Sequence, residues 1–390
     1  MVTIDHDAVL RARVLLLGSG RRSRAELVGA YRVLAEVSPK AYMPKLVDAL
    51  LALRHESRDP KVDVALTAEA SRAARRMDAE APDREERLRR ALDAYQASLF
   101  ALGRRTEGHA ICRELAEAGQ SGPLARVLAE EGRFVEAAEL DEVAARNRIP
   151  ERSFWYMVPW AANLEGAGQH DAASTVFREL IEETRREAAE QRTALAILTW
   201  ELVHFSRMRE TAGDGASAVA ARREALGVLQ ELATTGEPKS RGHVHAWWRA
   251  LFVLSGRAAE PAAGPESPMP PFGTEHGWSC DVRDGFLGMR PGLEAQAASA
   301  REAGRLTELV DLRRRICIRA AVSEGDRPYL FEERFTPCFD EGVTLARRLP
   351  DKPALLARAL TDRSMFLVAA RSFGPAHADF AEAVALLHDH

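Results

Sequence analysis

Histidine and cysteine side chains that could bind a metal are concentrated between residues 243 and 280. His243 and His245 form an HxH motif, and His276 and Cys280 follow it along the chain. Histidine nitrogen and cysteine sulfur are zinc ligands in proteins. Residues at i and i+2 point to different faces of a helix, so this motif would hold a metal only on a strand or a loop. We expect no metal and no cofactor, and we keep a metal-dependent protein or enzyme using residues 243–280 as an alternative.

Two other motifs have the composition of cofactor-binding or catalytic sites. Gly18 and Gly20 fit the first two positions of the dinucleotide-binding pattern GxGxxG, but Ser23 replaces its third glycine. A helix, a glycine turn and Ser23 as the N-cap of the next helix explain this stretch better. His109 lies three residues before Cys112, yet Cys112 occupies an apolar position, which favours core packing over catalysis. No GxSxG, HExxH or P-loop motif is present, so we expect a non-enzymatic protein and leave enzymatic activity open.

Composition predicts a folded protein with more than one core or with a repeat array. The chain has 390 residues, of which 46% are hydrophobic and 29% are charged, and a single core is unusual at this length. The formal net charge of -4 argues against nucleic-acid binding. No apolar run approaches the roughly 20 residues that cross a bilayer. The four cysteines form no CxxC motif. We expect a cytoplasmic protein that binds neither nucleic acid nor membranes.

Apolar helical segments separated by turn glycines recur along the chain. Gly103, Gly132 and Gly168 lie 29 and 36 residues apart, which brackets the period of about 34 residues typical of helix–turn–helix repeats. Small residues such as Ala161 and Ala173 stand where paired helices would cross closely. No segment shows the alternation that predicts a β-strand. The sequence therefore predicts an all-α protein.

One segment carries a family resemblance most clearly. WAANLEGAGQHDAASTVFREL has large apolar Trp160, small Ala161, the turn Gly168, small Ala173 and Phe177, and it resembles the tetratricopeptide repeat (TPR) family. PLARVLAEEGRFVEAAEL is similar, and AEVSPKAYMPKLVDALLALRHESRDPKVDVAL resembles the kinesin-light-chain-like bacterial variant of the repeat. The resemblance implies a bacterial protein that forms a superhelical array of antiparallel helix pairs, a TPR-like α-solenoid.

Proline and glycine interrupt this array once. Residues 257–285 contain five prolines, and proline removes backbone donors that a helix needs. The interruption is either a flexible linker or a loop folded back over a groove, with Phe272 and Trp278 inserted into it. The predicted organisation is an N-terminal helix or cap (1–19), an N-terminal TPR-like array (20–256), a Pro/Gly-rich insertion or linker (257–289) and a C-terminal TPR-like helical subdomain (290–390).

The TPR resemblance implies that the first helix of each pair lines a concave groove that binds peptides or partner helices. We therefore expect a non-enzymatic scaffold or adaptor with a protein or peptide partner. A peptide-responsive sensor that acts through a partner is an alternative, and the oligomeric state, including a homodimer, is left open. The repeat register, together with the later helices, assigns to the groove Arg90, Asp93, Phe100, Arg126, Trp155, Val158, Glu165, Trp200 and Trp247.

The stretch FWYMVPW, residues 154–160, divides between core and groove. Trp155 and Trp160 are five residues apart, about 140° on a helix, so they cannot both face the same way. Trp160 takes the large apolar position of the repeat and is predicted to be core. The groove assignment of Trp155 depends on Pro159, because proline is best accommodated in a first helical turn. If the helix began near Pro159, Trp155 would lie in the preceding loop.

Overall fold

The computed structural model describes residues 5–147, 153–191, 194–237, 244–274, 277–324 and 331–388. Within these ranges the regular structure is helical, with nineteen α-helices and the short 3-10 helix Arg257–Ala259. The described ranges contain no β-strand, only an isolated bridge between Gly264 and Ser267. The all-α prediction is confirmed, and the helices pack in consecutive pairs, as in an α-solenoid.

The chain divides into two compact units, one formed by Met1–Val127 with Ser279–Asp281 and the other by Leu128–Trp278 with Val282–His390. The boundaries deduced from the repeats, at residues 19, 256 and 289, stay a prediction. The first helices in chain order are α1 His6–Leu17, α2 Arg24–Val37, α3 Pro39–Arg54, α4 Pro60–Arg75, α5 Arg84–Ala101, α6 Arg105–Glu117 and α7 Gly122–Glu130. They are followed by α8 Phe134–Arg146, α9 Ser153–Gly166, α10 His170–Gln191, α11 Leu195–Thr211, α12 Gly215–Thr235, α13 Val244–Leu254, α14 Cys280–Gly288, α15 Arg290–Glu302, α16 Leu306–Glu324, α17 Phe331–Ala346, α18 Pro353–Ala369 and α19 Phe373–His388.

In the first unit each helix from α1 to α5 packs on the next one. The turn before α2 is organised by a helix cap. Ser23 is the N-cap of α2, and its backbone N–H donates to the Glu26 carboxylate at 2.8 Å while its hydroxyl accepts from the Glu26 N–H at 3.2 Å. This reciprocal capping box satisfies two donors at the helix start. The prediction of Ser23 as an N-cap is confirmed.

The second unit contains consecutive helix pairs, and its last hairpin packs back against an earlier one. Helices α8 to α12 pack in order, as do α15 to α19, and the α18–α19 hairpin also packs against the α11–α12 hairpin. The Trp200 indole N–H in α11 donates to the Met365 carbonyl in α18 at 3.0 Å. An open solenoid places contacts only between neighbouring repeats. The return therefore creates a surface between distant hairpins that a simple array lacks.

Residues 257–274, here called the cover segment, pack on the second unit. The Met269 N–H donates to the Glu130 carbonyl at 2.9 Å. Gly132 has a φ of 76°, and a Cβ at this position would lie 2.5 Å from the Ala263 carbonyl oxygen. Only glycine accepts both this conformation and this approach. One end of the cover segment is therefore fixed at the α7–α8 turn.

The other end of the cover segment lies on α9. A Cβ on Gly273 would be 3.2 Å from the Ala162 methyl and 3.4 Å from Val158. Phe272 is buried and meets Phe286 edge-on, with ring centroids 6.3 Å apart. This packing favours the folded-back alternative over a flexible linker for the described residues of the segment.

Candidate functional site

The four groove residues predicted in the first unit do not form one surface cluster. Phe100 is only 1% exposed and packs with Cys112 and Val127, so its assignment to an open groove is wrong. Its ring is covered by neighbouring helices and by the half-buried guanidinium of Arg126, 5.6 Å from the centroid. Arg90 and Asp93 are exposed on α5. The burial of Cys112 confirms its prediction as a core residue.

In the second unit two more groove assignments are corrected. Val158 is fully buried and lies against the cover segment, and Trp200 is 3% exposed, with its indole bonded to α18. Neither side chain can contact a ligand without moving what covers it. Glu165 is half-buried, and the Arg257 guanidinium of the cover segment lies 3.3 Å from its carboxylate. Burial raises the pKa of Glu165, and the Arg257 charge partly offsets that rise.

The two tryptophans in the aromatic stretch of α9 differ in burial. α9 begins at Ser153, so Trp155 lies in the helix and Pro159 lies inside it. Trp160 is 5% exposed, which confirms its core prediction. Trp155 is half-buried, and its ring centroid lies 5.5 Å from that of Trp247, which is also half-buried. This pair is the part of the predicted groove that keeps exposed aromatic surface.

The sequence reasoning missed a cavity of about 430 Å³ in the second unit, between the α11–α12 and α18–α19 hairpins. Ligand sites in proteins have volumes of about 300–1,000 Å³. The polar lining consists of Ser206, Arg207, Glu210, Thr211, Arg222, Ser255, Arg314, Arg358 and Thr361. The apolar lining includes Val203, Leu355, Phe380, Val384 and Leu387. We call this space the arginine cavity.

One carboxylate holds two of these arginines in the wall. Asp362 Oδ1 accepts from Arg207 at 2.8 Å, and Asp362 Oδ2 accepts from Arg314 Nε at 2.6 Å. Arg314 also donates to the Ser255 hydroxyl at 2.7 Å. Burial alone would raise the pKa of Asp362, but the guanidiniums of Arg314 and Arg207 outweigh it and bring the pKa down to about 2. Asp362 is therefore an anion at every physiological pH.

The remaining two arginines have one carboxylate each. Arg222 donates to Glu210 at 2.6 Å, and Arg358 pairs with Asp311. Four guanidiniums therefore share three carboxylates, and these seven groups together carry a net charge of +1. Burial lowers the pKa of Arg207, with Arg314 adding repulsion, while Asp362 opposes both effects. This net positive charge makes the cavity electrostatically suited to an anion.

The residues of this site are far apart in the sequence, so sequence spacing could not predict it. Arg207 and Asp362 are 155 residues apart, and Arg314 and Asp362 are 48 apart, so no local spacing links them. The available signal was the occurrence of charged residues inside apolar helical runs, as in LVHFSRM and LTDRSMFL. Burying such a residue is unfavourable without a partner. Each one therefore indicates a partner elsewhere in the chain.

The described residues offer no support for a metal site between 243 and 280. His245 stacks on the Phe331 ring, with centroids 4.1 Å apart, and Cys280 is exposed. His243 and His276 lie outside the described residues. In the part of the chain that the structure describes, no three His, Cys, Asp or Glu side chains come together as metal ligands, and no helix is long and apolar enough to cross a membrane.

Comparisons with known protein families and with curated proteins find no match for this sequence. The TPR resemblance therefore depends on the repeat residues themselves.

Proposed function

We propose that this chain is a non-enzymatic binding protein that holds a peptide or protein segment in the arginine cavity by an acidic group. The observation that carries the proposal is the ratio of four guanidiniums to three carboxylates around that space. A carboxylate from a partner would supply the missing negative charge. Hydrogen bonds between guanidinium and carboxylate are among the strongest that proteins form.

The apolar part of the lining favours a peptide over a small inorganic anion. Phe380 and Val384 on α19 and Leu355 on α18 give the cavity one apolar side. A ligand that fills it gains by burying its own apolar surface. A peptide segment that combines an acidic residue with neighbouring aliphatic or aromatic residues matches both the arginine-rich side and the apolar side of the cavity. The half-buried Trp155 and Trp247 are a second place where such a partner could make contact.

A TPR-like superhelical arrangement, a bacterial origin and a cytoplasmic location belong to the same proposal. The consecutive helix pairs and the turn glycines support the TPR-like arrangement. In this architecture the inner face of α9 is occupied by the cover segment, which leaves the arginine cavity as the better site for a partner.

Peptide selection tests this function even though the partner is unidentified. A random dodecapeptide library displayed on phage is panned against the immobilised full chain, and selected peptides are measured by fluorescence anisotropy. We expect Asp or Glu next to apolar residues. Arg358→Gln should weaken binding about tenfold or more, since a hydrogen bond to a charged group contributes about 1.5–3 kcal/mol. Arg358 is chosen because its side chain is 35% exposed, so the variant should fold.

Arg347→Gln is the matched control. Arg347 is also paired with one carboxylate, Glu382, but it is not part of the cavity lining. It should leave affinity unchanged. Selection of peptides without acidic residues, or equal affinity for the two variants, would contradict the proposal.

A further inference from the structure

Two cysteines of the second unit line one small cavity and have no role in the proposed binding site. Cys317 on α16 and Cys338 on α17 are both free thiols, and each shifts the pKa of the other. Cys317 is 3% exposed, whereas Cys338 is half-buried. The two side chains face a small cavity of about 30 Å³. The Cys338 thiol is therefore accessible to a small reagent, and the buried Cys317 thiol lies in the wall of the same cavity.

The surroundings give the two sulfurs different chemistry. The hydrogen bond from Cys317 lowers the pKa of Cys338; burial and the Glu341 carboxylate oppose this, and the Arg313 and Arg290 guanidiniums reinforce it. The same hydrogen bond and burial raise the pKa of Cys317. The thiolate is the reactive form of cysteine. Cys338 is therefore the attacking group and Cys317 the resolving group.

We propose that Cys338 and Cys317 form a reversible redox site, in which a hydroperoxide oxidises Cys338 and Cys317 then closes a disulfide between α17 and α16. The shared cavity wall and the half-exposure of Cys338 carry this inference. It is independent of the anion-binding function. Its effect on that function rests on the proposal above, because Arg314 and Arg358 line both the small cavity and the arginine cavity.

The chemistry balances in two steps. The Cys338 thiolate attacks the terminal peroxide oxygen, so that an S–O bond forms and the O–O bond breaks. After protonation the leaving oxygen departs as water from hydrogen peroxide, or as an alcohol from an organic hydroperoxide. The product is a sulfenic acid. The Cys317 sulfur then attacks the Cys338 sulfur, an S–S bond forms, the S–O bond breaks, and the Cys317 proton leaves with hydroxide as water. Two thiols lose two electrons and the hydroperoxide gains two.

Closing the bond requires a small movement. A disulfide sulfur pair is about 2.05 Å apart, which is shorter than a thiol hydrogen bond. α16 and α17 pack against each other in the described structure, so the two sulfur atoms can approach through a small shift of these neighbouring helices. Arg314 lies on α16, three residues before Cys317, and it lines the arginine cavity, so the movement reaches the wall of that cavity.

The test is peptide mapping of the full chain carrying Cys280→Ser, which removes the exposed cysteine. The protein is treated with a few equivalents of hydrogen peroxide, blocked with iodoacetamide, digested and analysed by mass spectrometry. We expect linked peptides containing Cys317 and Cys338, which separate again with dithiothreitol. Adding Cys338→Ser should abolish the link and leave Cys317 unmodified. Adding Cys112→Ser, at a buried cysteine far along the chain, should leave the link intact.

Two results would overturn the inference. One is conversion of Cys338 to sulfinic or sulfonic acid while Cys317 stays alkylatable. The other is recovery of both thiols at peroxide levels that already oxidise methionine. If Cys338→Ser fails to fold, the rate of alkylation in the Cys280→Ser protein replaces it, and Cys338 must react at least about tenfold faster than Cys317. No peptide ligand enters these measurements, so their failure is distinct from failure of the proposed function.

Discussion

Replacing Asp362 by asparagine tests whether one carboxylate holds the wall of the arginine cavity together. Asn keeps the size of the side chain and removes its charge. Arg207 and Arg314 would then face each other without an anion between them. Since both guanidiniums donate to Asp362, the substitution affects two ion pairs at once.

The expected loss follows from two independent considerations. Removing one partner of a buried ion pair typically costs about 3–5 kcal/mol, and the 28% exposure of the Arg207 side chain reduces this. The pKa of Asp362 falls from 3.8 to about 2, which corresponds to roughly 2.5 kcal/mol at about 1.36 kcal/mol per unit. We therefore expect Asp362→Asn to lower the free energy of unfolding by about 2–3 kcal/mol at neutral pH.

Urea denaturation followed by tryptophan fluorescence gives this quantity for the second unit. All six tryptophans lie between residues 155 and 278, within that unit, so the signal does not report on the first one. Asp311→Asn is the matched control, because Asp311 pairs with Arg358 and its side chain is 49% exposed. Exposed pairs contribute about 0.2–1 kcal/mol. Equal losses in the two variants would refute the argument that the shared, buried carboxylate organises the cavity.

Three further predictions concern other parts of the second unit. Burial raises the pKa of Asp141 to about 7, although the hydrogen bond that Asn163 donates to its carboxylate lowers it. The free energy of unfolding should therefore fall as pH rises from about 4 through 7. Asp141→Asn should remove this pH dependence in urea melts at pH 5 and 8. Gly132→Ala should expose the cover segment to limited proteolysis, because its Cβ would lie 2.5 Å from the Ala263 carbonyl; an unchanged cleavage rate would count against that contact. Trp155→Ala should cost about 2 kcal/mol on urea melting through lost aromatic packing, and a neutral result would return Trp155 to the exposed groove.

Local features of the fold could be predicted from sequence because their physical causes are local. Gly103, Gly132 and Gly168 all have positive φ, between 71° and 76°, as expected for glycines that end helices sharply. Ser23 was identifiable as a cap because its partner is three residues away. Trp160 was identifiable as core because repeat positions alternate predictably between packing layers.

The errors in the candidate groove have a common cause. A repeat register assigns Phe100 and Val158 to the inner face, and Trp200 is assigned there because it lies on a later helix. A register specifies which face a residue lies on. It does not specify what covers that face. Val158 is covered by Gly273 and Trp200 by α18, both distant in sequence, and only the folded chain brings these elements together.

The return of the chain also links ligand binding to folding. About 120 residues separate the end of α12 from the start of α18, yet the arginine cavity takes its lining from both hairpins. A ligand bound there contacts two segments that the unfolded chain holds far apart. It binds the folded unit and not the unfolded one, so at 100 times its dissociation constant it would stabilise the unit by about 2.7 kcal/mol. A partner bound only to the half-buried Trp155 and Trp247 pair would stabilise the unit equally at the same saturation. Only the cavity ligand would lose that effect in Arg358→Gln, and this difference locates the site without a structure of the complex.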